Sequence, residues 1–86
     1  MDDQSLKLSD TDVSRAFDDP HWAKKFPPVL TVEEAAELVR VPEATIYNWS
    51  SRGLLRSCSR KVGKYLRFER NRLLKLIFNE GINNVK

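Results

Sequence analysis

The chain has 86 residues, of which 41% are hydrophobic, so it is long enough for one small domain with a single core. Its single cysteine and single histidine exclude an internal disulfide and a Cys/His zinc site, and no metal or other cofactor is expected. No run of eighteen apolar residues and no signal-like N-terminus occur, so we expect a soluble cytoplasmic protein with no membrane partner.

The net charge of +3 is unevenly distributed along the chain. Residues 1–30 and residues 31–55 each carry a net charge of −2, whereas residues 56–86 carry +7. A basic segment of this kind is either a surface that binds a polyanion or a solvated run of charge, and composition alone does not decide between the two.

The first 28 residues are predicted to form an acidic, partly disordered arm, because Met1 to Leu8 are polar and lack periodicity. A short helix could begin at Ser9 or Asp10, and it must end before the following proline. Beyond that proline, Trp22 and Phe26 are four residues apart and could dock on the main domain. The arm is therefore interpreted as a tether or an auxiliary packing element.

Residues 29–80 are predicted to form a mainly α-helical domain with a small β-hairpin, in the order helix, turn, helix, strand, strand, helix. The first helix opens at Thr31, because Thr31 and Glu34 have the spacing of a capping box. Ala35, Leu38 and Val39 then form an apolar stripe along one face. This helix is expected to cross closely over the next one.

The second helix is predicted to run from Pro42 to Ser51 or Arg52, with Pro42 at its first position and Gly53 closing it. The spacing of Ile46 and Trp49 turns both residues inward. It leaves six side chains for solvent or a partner: Glu43, Thr45, Tyr47, Asn48, Ser51 and Arg52. For Tyr47, packing in the core remains an alternative.

The hairpin is predicted to consist of Leu55–Lys61 and Tyr65–Phe68 around a turn at Gly63, with Leu54 and Leu55 opening the first strand. Cys58 is expected to be a small buried or half-buried residue of that strand. A last amphipathic helix over residues 69–80 places Leu73, Leu76 and Ile77 inward and Arg70, Arg72 and Lys75 outward. Gly81 caps this helix, and residues 81–86 should fray.

Three motifs in this order resemble those of the excisionase-type DNA-binding domains. They are T-x-x-E-A-A-x-L at Thr31–Leu38, T-I-Y-x-W followed by R-G-L-L at Thr45–Leu55, and glycine-basic-x-hydrophobic-Arg-hydrophobic at Gly63–Phe68. The resemblance covers residues 30–78. It implies a winged helix-turn-helix fold, related to the DNA-binding head of MerR-type regulators.

The resemblance implies that the second helix lies in the major groove of DNA and that the hairpin is the wing. Asn48 can pair bidentately with adenine, Thr45 can contact thymine, and Arg52 can reach guanine or phosphate. Pro42 and Glu43 stand where the family usually has a small hydroxyl residue and a basic one. Glu43 would repel phosphates, although it could accept a hydrogen bond from cytosine. The wing residues expected to contact nucleic acid are Arg60, Lys61, Lys64 and Arg67.

Three functions follow as alternatives. The first is an excisionase-like architectural factor, or recombination directionality factor, which binds and bends double-stranded DNA beside a recombination site. It would act with an integrase or recombinase or by cooperative self-association on nucleoid DNA. The second is a small MerR-like transcriptional regulator, although the long dimerisation helix of that group is not seen after the last helix. The third is a protein-interaction module that recruits a recombinase or polymerase. No catalytic constellation occurs, so we expect neither an enzyme nor a small-molecule substrate.

Overall fold

The computed structural model describes residues 8–81, and the predicted disorder of residues 1–7 and fraying of residues 82–86 lie outside them. Helices α1 to α5 are Asp10–Ala16, Pro20–Lys25, Val32–Val39, Glu43–Ser51 and Arg70–Lys75. Strands β1 to β3 are Val29–Leu30, Ser59–Val62 and Tyr65–Glu69. A 3₁₀ turn at Arg56–Cys58 precedes β2, and α5 continues as a π-helical segment at Leu76–Glu80.

The capping box predicted at the start of α3 is confirmed. The Glu34 amide donates to Thr31 Oγ1 at 3.1 Å, and the Thr31 amide donates to Glu34 Oε1 at 3.0 Å. The helix ends at Arg40, which adopts a left-handed conformation with φ 62°. This residue reverses the chain, and the Val41 amide then donates back to the Ala36 carbonyl at 3.0 Å. The turn between α3 and α4 is therefore short and tied to the helix before it.

Helix α4 is confirmed, with one difference at its N-terminal end. Pro42 is extended, with ψ 152°, and is the N-cap residue rather than the first helical position. Gly53 has φ 79° and closes the helix as predicted, while the Leu54 amide donates to the Trp49 carbonyl at 2.9 Å. The expected strand at Leu54 and Leu55 is wrong, because both residues lie in the turn after α4 and residues 56–58 form a 3₁₀ turn.

Cys58 lies in this turn rather than in a strand, and it is buried as expected. Its amide donates to the Leu55 carbonyl at 3.1 Å, so the two side chains are one turn apart and both enter the core. Strand β2 therefore begins only at Ser59.

The sheet has three antiparallel strands in the order β1-β3-β2, not the two strands of a simple hairpin. β2 and β3 join through the two-residue turn Gly63–Lys64, and Gly63 has φ 65°. β1 pairs with the other edge of β3, with Leu30 opposite Phe68. β1 was not predicted because a two-residue strand after Pro27-Pro28 has too little alternation to reveal it.

A single core lies between the sheet and helices α3, α4 and α5. The apolar side chains of this core are brought together by the capping box of α3, the short turn between α3 and α4, and the pairing of β1 with β3. The described elements define a mainly helical winged helix-turn-helix fold, which confirms the predicted fold class. Among residues 8–81, the fully buried side chains of this core are Leu30, Ala35, Ile46, Leu55, Phe68 and Leu73, and Val13 of α1 is fully buried outside it.

Arg70 contradicts its predicted outward orientation. It is 8% exposed, its Nη1 donates to the Phe26 carbonyl at 2.8 Å, and its Nε donates to Asn71 Oδ1 at 2.8 Å. The guanidinium also lies 3.8 Å from the centre of the Phe17 ring. Arg70 is three residues before buried Leu73, so both lie on the face of α5 that packs inward. Its charge is retained there because the arm supplies a carbonyl and a ring.

The arm contains two short helices that pack against the rest of the chain. Ser9 caps α1 through a reciprocal bond with Asp12, and Val13 of α1 is buried. Leu8 and Asn79 exchange two hydrogen bonds at 2.6 and 2.9 Å. Asp10 bonds the Lys75 ammonium at 2.6 Å, and this hydrogen bond and charge lower the pKa of the carboxyl. The acidic arm thus lies against the basic last helix.

We predict that Arg70→Ala lowers the free energy of unfolding by about 2 kcal/mol, because the buried Phe26 carbonyl loses a charged hydrogen-bond donor. The matched control is Arg72→Ala, in the same helix, whose exposed ion pair with Glu69 should contribute less than about 0.5 kcal/mol. Urea unfolding followed by tryptophan fluorescence measures both values. Equal losses for the two variants would contradict the role given to Arg70.

Burial raises the pKa of the Cys58 thiol from 9.0 to about 11. We predict that iodoacetamide alkylates Cys58 at pH 8 at least about 100-fold more slowly in the native protein than in urea, because the thiolate population falls tenfold per pKa unit. Because the folded state favours the neutral thiol, Cys58 contributes to the free energy of unfolding below pH 9. This contribution declines as the pH rises towards 11, where the thiol ionises in the folded state too.

The control for Cys58 is the double variant Cys58→Ser/Ser57→Cys, which moves the only thiol to the adjacent exposed position. Alkylation of this variant should be nearly as fast in buffer as in urea. Rapid alkylation of native Cys58, with a rate matching that of the control, would show that the thiol is not held in the core.

Candidate nucleic-acid interface

An open groove separates helix α4 from strands β2 and β3, which together with the Gly63–Lys64 turn form the wing. We call it the helix–wing groove. Its helical wall is formed by α4 and the first residues of α3, and its other wall is the wing. The polar and aromatic side chains along it are Thr31, Glu33, Glu43, Tyr47, Ser50, Ser51, Lys61, Lys64, Tyr65 and Arg67.

Two buried side chains fix which face of α4 is presented. Ile46 and Trp49 are three residues apart and both belong to the core, which confirms the orientation predicted for them. Tyr47 is 55% exposed, so the core alternative considered for it is excluded. The face of α4 opposite the core is therefore polar and open.

The six side chains predicted on this helix fall into two stripes. Glu43, Tyr47 and Ser51 are spaced by four residues and line the helix–wing groove. The other stripe lies outside the groove and consists of Thr45, Asn48 and Arg52. Asn48 and Arg52 are exposed, and Thr45 is half-buried. The first stripe faces the wing, and the second faces outward beside it.

The predicted wing residues are likewise divided between two surfaces. Lys61 and Lys64 line the helix–wing groove, whereas Arg60 lies on the outer face of the sheet. Arg67 is directly opposite Arg60 across the two strands and borders both surfaces. Its Nη1 donates to the Leu66 carbonyl at 2.9 Å, which holds the side chain along the strand.

Three further residues of these surfaces were not predicted as site residues. Tyr65 lines the groove and is 55% exposed, with Lys64 Nζ 5.7 Å and the Arg67 guanidinium 5.3 Å from its ring centre. Arg56 and Arg72 line the outer face of the wing. Alternation along β3 indicates an outward Tyr65, but the positions of Arg56 and Arg72 depend on how the turn and α5 meet the sheet.

The two walls of the helix–wing groove carry opposite charge. Glu33 and Glu43 stand on the helical wall, and Lys61, Lys64 and Arg67 stand on the wing. Within residues 8–81, the ion pairs join Lys25 to Glu37, Arg72 to Glu69 and Lys75 to Asp10. None of these ion pairs involves a cation of the wing. A phosphate backbone would therefore be attracted to the wing and repelled by the helical wall.

Within residues 8–81, no three His, Cys, Asp or Glu side chains are close enough together to hold a metal ion. In that same part of the chain, no helix is both long enough and apolar enough to cross a membrane.

A helix held by a short turn against another helix, with a basic hairpin beside it, defines a winged helix-turn-helix domain. A family model described as a helix-turn-helix domain matches residues 29–77, which is more than half of the chain. The chain belongs to this excisionase-like helix-turn-helix family, and membership supports a DNA-binding function. Comparisons with curated proteins and with solved structures gave no match.

We predict that Glu43→Gln raises the affinity for a random DNA duplex about two- to fivefold, because one repulsive charge leaves the groove. Fluorescence anisotropy at low and at moderate salt measures this, and the gain should shrink as salt rises. The control Glu80→Gln removes the same charge from an exposed position on the last helix. An equal gain in both variants would mean that only net charge matters and that Glu43 does not face the DNA.

Proposed function

We propose that this protein binds double-stranded DNA sequence-specifically, as an excisionase-like architectural factor that bends DNA beside a recombination site. The observation that carries the proposal is the exposed face of α4 next to a wing whose cations have no acidic partner among the ion pairs of residues 8–81. Family membership supports the DNA-binding part of this proposal.

In the proposed complex, α4 lies in the major groove and its outward stripe reads the bases. Asn48 pairs with adenine through its amide, Thr45 contacts thymine, and Arg52 reaches guanine or a phosphate. These three residues present a donor–acceptor pair, a hydroxyl with a methyl group, and a cation. Because their chemistries differ, a helix of this kind can distinguish base pairs rather than merely attract a polyanion.

The stripe that faces the wing has a different part in the same complex. Ser51 Oγ donates to the Asn48 carbonyl at 2.9 Å, so its hydroxyl is already engaged, although its oxygen can still accept a bond. Tyr47 would donate its hydroxyl to a phosphate of the DNA strand that enters the helix–wing groove. Glu43 would lie near the same DNA strand, where it would either accept a hydrogen bond from a cytosine amine or lower the affinity for non-specific DNA.

The wing supplies affinity that does not depend on sequence. Lys61, Lys64 and Arg67 would contact the phosphates of the strand in the groove, and Arg60 would contact phosphates on the outer side. Each neutralised phosphate releases condensed counterions, so binding should weaken as salt concentration rises. Such a protein would be located with the nucleoid in the cytoplasm.

Three basic residues of α5 interact with other groups of the protein. Arg70 is buried against the arm, and Arg72 and Lys75 pair with Glu69 and Asp10. These pairings favour the wing and α4 over α5 as the main DNA contact. The partner in the excisionase role would be an integrase or recombinase, or a second copy of this chain on adjacent DNA. The alternative role, a small MerR-like transcriptional regulator, would use the same DNA contacts.

A protein-interaction module is the second candidate function, and one observation favours it. Trp22 is 44% exposed beside a cleft lined by Phe17, Phe26, Leu38 and Val41. This cleft shares no residue with the helix–wing groove. A recombinase or polymerase could therefore be held there while DNA occupies the groove.

We predict that Asn48→Ala and Lys64→Ala affect DNA binding in different ways. Asn48→Ala should cost about 1–3 kcal/mol on the preferred site and almost nothing on random DNA, because only base reading is lost. Lys64→Ala should weaken binding to every sequence and reduce the slope of log K against log salt by about one. Selection of a preferred site from a random pool, followed by anisotropy titrations, provides both measurements.

The control for these titrations is Lys24→Ala, which removes an exposed lysine from α2, outside the groove. It should leave affinity within about twofold of the wild type, as expected for a charge remote from the DNA. Equal effects of the Asn48 and Lys64 changes on specific and random DNA would refute the division between helix and wing. If neither change alters binding, the DNA face has been misplaced and the Trp22 cleft becomes the surface to test.

A further inference from the structure

The tip of the wing carries two apolar side chains that nothing in the fold requires. Val62 and Tyr65 are directly opposite each other and form the last pair before the Gly63–Lys64 turn. They are 61% and 55% exposed. A Cβ placed on Gly63 would have no neighbour within 4 Å, so no other described part of the chain packs against the turn at this position. An exposed hairpin tip in water is normally polar, because an apolar edge invites unwanted pairing.

Cations surround this apolar pair. Lys64 Nζ lies 5.7 Å and the Arg67 guanidinium 5.3 Å from the centre of the Tyr65 ring. Arg60 and Arg67 form the cross-strand pair two residues further from the turn, which is the next pair on the same face of the sheet. The surface that fits this arrangement is one with anions at its edges and apolar rings between them. Duplex DNA has that composition, since its phosphates flank a stack of bases.

We propose that Val62 and Tyr65 are an apolar wedge that enters the minor groove, inserts at one base step, partly unstacks it and bends the duplex. The inference rests on the proposed DNA-binding function and goes beyond it by naming the residues that deform the DNA. Apolar side chains inserted in this way kink DNA towards the major groove, which is the groove occupied by α4 in the proposed complex.

The dimensions of the wing and of the minor groove indicate that the wing can enter the groove only as the DNA bends. The strands of a hairpin are about 4.8 Å apart, and the minor groove of B-form DNA is only about 6 Å wide. A hairpin with Tyr65 at its tip therefore enters fully only if the groove widens. Unstacking one step and bending away from the minor groove provides that width, and the cations beside the wedge then reach the phosphates on both edges.

The test uses two duplexes of about 30 base pairs with the same arbitrary sequence, one intact and one with a single-nucleotide gap at its centre. A gap removes most of the stacking that a wedge must disrupt, so a protein with a wedge should prefer it. We expect the wild type to bind the gapped duplex about tenfold more tightly than the intact one, and Val62→Thr/Tyr65→Thr to bind the two within about twofold.

The matched control is Val29→Thr. Val29 is 59% exposed and lies on the same face of the sheet, but it pairs with Glu69 at the end of β3 away from the tip. It should retain the full preference for the gapped duplex. Tyr65→Phe should also retain it, because the ring and not the hydroxyl forms the wedge. Thermal unfolding of all variants confirms that each is folded, and threonine suits a strand at both positions.

Energy transfer between dyes at the two ends of the intact duplex measures the bend directly. The wild type, Val29→Thr and Tyr65→Phe should shorten the end-to-end distance, and the double threonine variant should leave it near that of free DNA. The proposal is overturned if the wild type binds DNA but neither prefers the gapped duplex nor bends the intact one. It is also overturned if the double threonine variant prefers the gapped duplex and bends the intact one as well as the wild type does. A wild type that binds neither duplex would instead refute the proposed DNA-binding function.

Discussion

The pairing of β1 with β3 is the constraint on which the remainder of the site depends. Leu30 is opposite Phe68, both are fully buried, and Thr31 immediately after Leu30 caps α3. The wing is therefore attached through one short strand to the start of the first helix of the helix-turn-helix. The left-handed Arg40 then fixes α4 against α3, so the width of the helix–wing groove follows from two short connections. An additional bond from the Arg70 amide to the Pro28 carbonyl, at 2.9 Å, continues the same attachment into α5.

The opposite charges on the two walls of the groove bear on specificity. A wing with Lys61, Lys64 and Arg67 attracts any nucleic acid, whereas Glu43 on the helical wall disfavours unselective docking of phosphates. Discrimination is a difference between affinities, and a repulsive group can increase that difference by weakening the wrong complexes more than the right one. In this interpretation the acidic residue at the start of α4 and the basic wing act together, with the outward stripe of α4 reading the bases.

The arm explains why the high positive charge of the C-terminal third is less available than its sequence suggests. Lys75 pairs with Asp10, and Arg70 is buried with its guanidinium on the Phe17 ring and the Phe26 carbonyl. Arg72 pairs locally with Glu69. The basic residues of α5 thus stabilise the attachment of the arm and the start of the helix. Between residues 56 and 81, the cations outside these interactions lie on the wing and on the adjacent Arg56. The cleft beside the exposed Trp22 lies on a different surface and shares no residue with the helix–wing groove.

The sequence by itself determined the elements whose signals are local. The capping box at Thr31, the glycine that closes α4, the inward Ile46 and Trp49 and the alternation of Leu66 and Phe68 all depend on neighbours a few residues apart. Only the tertiary structure decided the features that depend on distant partners. β1 forms because β3 offers a free edge, Leu55 and Cys58 leave the strand because the core admits both, and Arg70 turns inward because Phe26 and Phe17 receive its charge. Alternation along β2 puts Arg60 and Lys61 on opposite faces of the sheet in any register. The pairing of β2 with β3 decides that Lys61 is the one on the side of the helix–wing groove.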